Sequence, residues 1–394
     1  MRHIPDTERR ARLAQRHALA PGHRAADPEG ATRAVTVLHS TEPATVYLSL
    51  RARVDGLTVA DVDRALYEDR TLVKQLAMRR TLFVFPRDLL PAAWGSASAR
   101  VAEQLEARLV KEVEAAGHTA DGAAWLASAR VDVVAALAGR ALTAQEVRKA
   151  VPALEARLDL SPGKKYAANV SIAPRVLTQL GVEGTVVRGE NAGHWRLSKP
   201  RWALMADWLG DVPPPAKADE GYAELAGRWL RSFGPGTEDD LAWWLGATKG
   251  AVRSALAALG AVEVSLDGGG TGWLMPDDDE PVDEVEPWAA LLPVLDPTVM
   301  GWKQRDFYLG PHAPHLFDTN GNAGTTAWWD GRIVGCWVQD AAGVVEVRLL
   351  EKLPKQARTA LAAEAERLTA WLDGVRVGTV YSSTAMKVVD WITP

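Results

Sequence analysis

The chain has 394 residues, 47% of them hydrophobic and 24% charged, with a formal net charge of −5 at pH 7. These proportions fit a folded protein of two to four domains and exclude a disordered, collagen-like or coiled-coil chain for most of the length. The single cysteine, Cys336, excludes an internal disulfide and any cysteine-rich zinc site.

The first twenty residues are charged and lack an apolar core, and no apolar run reaches the length of a membrane span. A cytoplasmic chain with no membrane partner is therefore expected. The first recurring element comes at Thr58, which with Asp61 makes a capping box ahead of "VDRALYE"; a helix near "TLVKQLAM" and a strand at "RTLFVF" should follow. The same box recurs at Thr143 with Glu146, followed by a helix at "SIAPRVLTQLG" and two strands of "GTVVRGENAGHWRLS" turning at "ENAG". The clearest copy has a helix over residues 219 to 233, a box of Thr237 with Asp240 opening "EDDLAWWLG", and Gly246 closing that helix. There a third helix, "KGAVRSALAALG", leads into a hairpin of "AVEVSL" and "TGWLMP". Three helices and a hairpin spell a winged helix-turn-helix, and spacings of roughly ninety residues between the boxes indicate duplicated domains, since a solenoid repeats sooner. From Trp288 to Leu350 the pattern changes to short strands, closing with one long helix at "PKQARTALAAEAERLTAWLDG". The expected fold is α+β: tandem winged helices over 1–115, 116–211 and 216–276, then a C-terminal β-barrel-like domain over 285–394.

Charge is unevenly spread. Seven acids and no base lie in "DDDEPVDEVE", residues 277 to 286, which reads as a solvated linker, and the rest of the chain sums to +2. Residues 140 to 201 hold eleven Lys or Arg against five acids, a stretch able to track a phosphate backbone. Within it Lys164 and Lys165 occupy a loop, and Arg188 and Arg196 the wing, the parts of a winged helix that meet phosphates. Trp302, flanked by Lys303 and Arg305 in "GWKQR", fits a surface that meets nucleic acid, whereas most of the other tryptophans lie at core spacing. His312 and His315 sit between prolines with no carboxylate at ligand spacing, and "DTNGN" at 318 to 322 lacks the glycine and glutamate of a calcium loop, so no metal is expected.

Five segments carry a family likeness: "VLHSTEPATVYLSLRARV" at 37 to 54, "AMRRTLFVFP" at 77 to 86, "RWLRSFGPGTEDDLAWWLG" at 228 to 246, "LLPVLDPTVMGWKQRDFYL" at 291 to 309 and "LFDTNGNAGTTAWWDGRIVGCW" at 316 to 337. In these the chain resembles the bacterial winged-helix DNA glycosylases of the AlkZ and YcaQ type. The resemblance implies tandem winged helices closing into a C shape with a C-terminal β-barrel, duplex DNA as partner, no cofactor, and a monomer. It implies hydrolysis of the N-glycosidic bond of alkylated or bulky N7 purines. Where family members carry a Gln-x-Gln or Gln-x-Asp pair, this chain has His39 and Thr41 around Ser40. An N7-alkylated base is already a cationic leaving group, so the enzyme mainly positions water and stabilises an oxocarbenium-like sugar. A neutral His39 can take a proton from that water, and the Thr41 hydroxyl can orient it. The alternative is a winged-helix protein that binds DNA, or sequesters a ligand, without catalysis.

Overall fold

All three capping boxes form. In a computed structural model that describes residues 1–160 and 168–387, Thr58, Thr143 and Thr237 each accept a backbone N–H three residues on, and Asp61, Glu146 and Asp240 return the bond. The helices they open are Val59–Asp63, Ala144–Ala150 and Glu238–Leu245, and Gly246 ends the last in the left-handed conformation at φ 62°. The chain divides into two units, residues 1–65 with 223–394, and residues 66–222.

In the second unit, helices Ala99–Ala115, Gly122–Leu137, Ala144–Ala150 and Ala173–Val182 bury Val113, Val133, Val147 and Val176 in one core. A three-stranded sheet closes it, with Pro200–Leu204 between Leu142–Thr143 and Val186–Asn191. The return strand starts at Pro200, later than the "HWRLS" expected, because residues 192 to 199 form a loop built around Asn191. Its side-chain amide donates to the carbonyls of Gly193, His194 and Leu197 and accepts from the Lys199 N–H. Residues 72 to 77 correct a second expectation. "TLVKQLAM" is a strand, Leu72–Ala77, paired antiparallel with Thr81–Pro86 through a tight turn in which Arg79 and Arg80 both hold positive φ, 53° and 59°. Turns of this hand match strand twist but usually carry Asn or Gly, so an arginine pair hides the hairpin.

Helix Ala218–Phe233, which runs from the second unit into the first, is followed in the first unit by helices Glu238–Leu245 and Lys249–Ala258 and the hairpin Val262–Leu266 with Thr271–Leu274, as the pattern required. The strand Arg2–Ile4 extends that hairpin in parallel, burying Ile4 with Val264, Leu266 and Leu274. The acidic tract is not simply solvated. Asp278 pairs with Arg12 at 3.0 Å and Arg16 at 2.6 Å, and the Glu280 and Asp283 carbonyls accept from Arg12 and Gln15. Helix Asp6–Arg16 thus supplies the counter-charge through Arg12 and Arg16, while Arg9 and Arg10 turn to Phe307.

The C-terminal strands Ala289–Leu292, Thr326–Trp329, Arg332–Gln339 and Val345–Leu349 form an antiparallel meander in chain order. Among the described residues the expected barrel does not close: the first and last strands are edges, and four strands are too few to wrap a filled interior. The long helix appears as expected, Lys355–Leu372, packed across both edge strands. Between the first two strands the chain makes short helices, Pro297–Met300, Asp306–Leu309 and Ala313–Leu316, where strands were expected. Pro297 and Pro314 sit in first turns, where proline favours helix entry. "DTNGN" is a turn, Asp318 accepting from the backbone of Asn320 and Asn322.

Candidate functional site

Helix Pro43–Arg51 follows directly on His39, Ser40 and Thr41, and its sequence fixes it on one polar face. Thr45, Ser49 and Arg53 recur every four residues, hence along one side of the helix and its extension. Thr45 donates to the Val294 carbonyl at 2.9 Å. Asp296, fully buried, accepts from the Ser49 hydroxyl at 2.6 Å, from both terminal nitrogens of Arg53 at 2.9 and 2.7 Å, and from the Thr298 backbone at 2.9 Å. Burial alone pushes the Asp296 carboxyl up, but the Arg53 charge and these donors hold it below its ordinary value. Arg53 also donates to the Thr298 hydroxyl at 2.7 Å, which lies 2.9 Å from Nδ1 of His17. Nε2 of His17 meets the Ser232 carbonyl at 3.1 Å. A carbonyl only accepts, so Nε2 carries the proton and Nδ1 accepts from Thr298. Burial first, and then the Arg53 charge, lower the His17 pKa to about 3, so the ring is neutral.

Three of the family-like segments, 37 to 54, 228 to 246 and 291 to 309, are therefore joined through one buried polar network. Aromatic packing joins the last two again. Trp229 donates to the Gly301 carbonyl and Trp302 to that of Phe233, each at 3.1 Å. Gly301 has no room for a side chain, since a Cβ there would lie 2.1 Å from the Phe233 ring.

This frame delivers the His39–Thr41 turn. His39 ends the short strand Leu38–His39 and is only 7% exposed, Ser40 is buried, and Thr41 lies at the surface. The neighbouring carboxylate, Glu42, accepts from the Val380 backbone at 3.3 Å and the Thr379 hydroxyl at 3.4 Å. Thr41 is thus the accessible member of the pair and His39 the buried one.

The remaining candidate residues separate into structural and exposed groups. Trp302 corrects the expectation of a surface aromatic. It is 2% exposed, stacked on His17 at 5.6 Å and edge-on to Phe233 at 4.9 Å, so no base can reach it. Arg305 beside it covers the rings of Trp243 and Phe317 and donates to the Trp302 carbonyl at 2.7 Å. Lys303 is exposed but lies 3.6 Å from Asp239. On helix Lys249–Ala258 the two bases are likewise matched, Lys249 to Asp239 at 2.6 Å and Arg253 to Glu238 at 2.9 Å, which leaves that helix little free charge for a DNA groove.

In the second unit, Arg196 is exposed in the loop around Asn191, with His194 and Lys199. Arg188 is half-buried with its guanidinium 5.0 Å over the Trp202 ring, and burial lowers its pKa. Lys164 and Lys165 lie outside the described residues. The feature that sequence reasoning passed over is Arg80, exposed at the positive-φ tip of the Leu72–Ala77 hairpin; its signal was the doublet between two apolar runs.

A family model described as DNA glycosylase AlkZ-like matches residues 32–371. Among solved structures, the Streptomyces sahachiroi DNA glycosylase AlkZ is similar, with a TM-score of 0.71 and 20% sequence identity over 94% of this chain and 98% of that one. At that identity the likeness is one of fold. No curated protein sequence matches the chain. The matched span takes in the His39–Thr41 turn and the three segments that the Arg53–Asp296 network ties together, and by it the chain belongs to the AlkZ-like DNA glycosylase family.

Proposed function

We propose that this protein is a DNA glycosylase that hydrolyses the N-glycosidic bond of alkylated or bulky N7 purine adducts in duplex DNA, in DNA repair or genotoxin resistance. The observation that carries the reading is the family match across residues 32–371, which includes the turn bearing His39 and Thr41. On this reading three winged helices, 1–115, 116–211 and 216–276, and a C-terminal domain, 285–394, act as a cytoplasmic monomer without a cofactor. Thr41 orients the attacking water from the surface, and the buried His39 takes its proton. Because the N7-alkylated base leaves as a neutral purine, no strong acid is required, which suits a site whose neighbouring carboxylate, Glu42, is engaged elsewhere. Backbone phosphates fall to Arg188, Arg196 and Arg80, with Lys164 and Lys165, while Lys303 and Arg305 support the fold.

Burial of His39 favours a second reading, a DNA-binding or ligand-sequestering protein that has lost hydrolysis. The two separate on free base released from N7-methylguanine duplex, followed by mass spectrometry. Release with turnover supports the glycosylase; binding without release across several N7 adducts supports the second reading.

A further inference from the structure

A cavity of about 640 Å³ lies in the first unit, away from the His39–Thr41 turn. Helix Pro43–Arg51 separates them: the turn precedes its first residue and the cavity begins at its last, about 12 Å apart at 1.5 Å per residue. Its volume is in the range of sites for small ligands.

Three guanidinium groups face this space, those of Arg24, Arg51 and Arg367. Glu364, buried, is the carboxylate they share: Arg51 approaches it at 3.4 Å and Arg367 bonds to its other oxygen. Arg24 donates to the Ala52 carbonyl, and its nearest acid, Asp55, stands 3.9 Å away and extends into water. Arg24 and Arg51, both partly buried, thus face one buried carboxylate, Glu364, while Arg367 reaches water at the rim. Burial lowers the pKa of Arg24 and Arg51, and the repulsion of each by Arg367 lowers it further, against the pull of Glu364. The rest of the wall is apolar, formed by Ala289, Leu291, Ala360 and Trp371. Trp371 spends its N–H on the Leu57 carbonyl at 2.6 Å and so offers the cavity only its ring.

Partly buried arginines that outnumber the buried carboxylate are relieved by an anion, and guanidinium matches phosphate oxygens in pairs. We propose that this cavity binds a small phosphorylated ligand, with the phosphate on Arg24, Arg51 and Arg367 and a flat apolar body against Trp371. The inference does not depend on the glycosylase reading. A backbone phosphate of DNA offers the same chemistry, and the test distinguishes the two sources.

Calorimetric titration of the full chain with pyrophosphate, deoxyadenosine 5′-monophosphate and deoxyadenosine should show binding of the first two and none of the third. Arg367→Gln, at an exposed position, should weaken both by about fivefold or more, and Glu364→Gln, which removes the competing carboxylate, should tighten both by a similar factor. Should Glu364→Gln fail to fold, Arg367→Gln decides alone. Saturation with a short undamaged duplex should leave nucleotide binding intact. Absence of binding at millimolar anion, or affinities unchanged in Arg367→Gln, overturns the proposal. Displacement by the duplex also overturns it and assigns the arginines to the DNA backbone.

Discussion

His39 and Thr41 stand at different depths, and their variants should differ accordingly. His39→Ala should lower glycosylase turnover by roughly a hundredfold to ten-thousandfold, the range of a general base, and Thr41→Val, which keeps shape and deletes the hydroxyl, should lower it less. His39→Gln carries a family residue that holds water without titrating; it should retain activity and abolish any rise of rate with pH. A His39→Ala protein that folds, binds DNA and works at the parent rate would falsify the assignment. His17 gives a separate test of the buried network. Its folded pKa, lowered from 6.5 to about 3, means that the unfolded chain takes up the proton first as the medium is acidified. Stability should be insensitive to this group above pH 6.5 and fall below it, by about 1.4 kcal/mol per pH unit towards pH 3. Chemical denaturation of His17→Gln across that window should show a shallower fall; an equal slope would mean that His17 is protonated in the native protein. Neither His17 nor Asp296 stood out in the sequence, because burial and a partner more than two hundred residues away are facts of tertiary structure. Trp302 was misplaced for a related reason: flanking bases describe the neighbours of a side chain, not the direction it takes.

Local chemistry was legible wherever the chain writes it locally. The three capping boxes, the Gly246 stop, the hairpin at 262 to 274 and the helix Lys355–Leu372 follow from residues within a few positions of one another. The hairpin at 72 to 86 was not, since its turn is an arginine pair at positive φ, and the open C-terminal sheet was not, since strand count alone does not reveal closure. The hairpin tip and the loop around Asn191 also carry exposed cations, Arg80, Arg196 and Lys199. The triple change of Arg80, Arg196 and Lys199 to Ala should weaken binding to unrelated duplexes about equally and flatten the dependence of log affinity on log salt by roughly two to three units. An unchanged salt slope would remove both elements from the interface. Within the helix Pro43–Arg51 and its extension, Arg53→Met should cost about 3–5 kcal/mol, because Asp296 would stay buried without its counter-charge. Urea unfolding measures this directly, and a loss below about 1 kcal/mol would show that Asp296 takes up a proton or finds another partner at little cost.

Family-like segments scattered over the sequence come together as one scaffold. Residues 37 to 54, 228 to 246 and 291 to 309 meet through Thr45, Ser49, Arg53, Asp296, Thr298, His17 and Ser232, and the acidic tract is held along helix Asp6–Arg16. The resemblance was thus carried largely by residues that build the frame, while the two that would handle water depart from the Gln-x-Gln or Gln-x-Asp pair that the resemblance implies. That combination makes the chemistry, more than the fold, the point to test. The direct measurement is alkali-dependent strand scission of a duplex containing a single N7-methylguanine, after incubation with the parent protein and with His39→Ala. A cut at the modified position should accumulate over repeated turnovers with the parent and be strongly reduced with His39→Ala. An uncut strand in a duplex that the parent demonstrably binds, repeated with bulkier N7 adducts, would contradict the glycosylase reading.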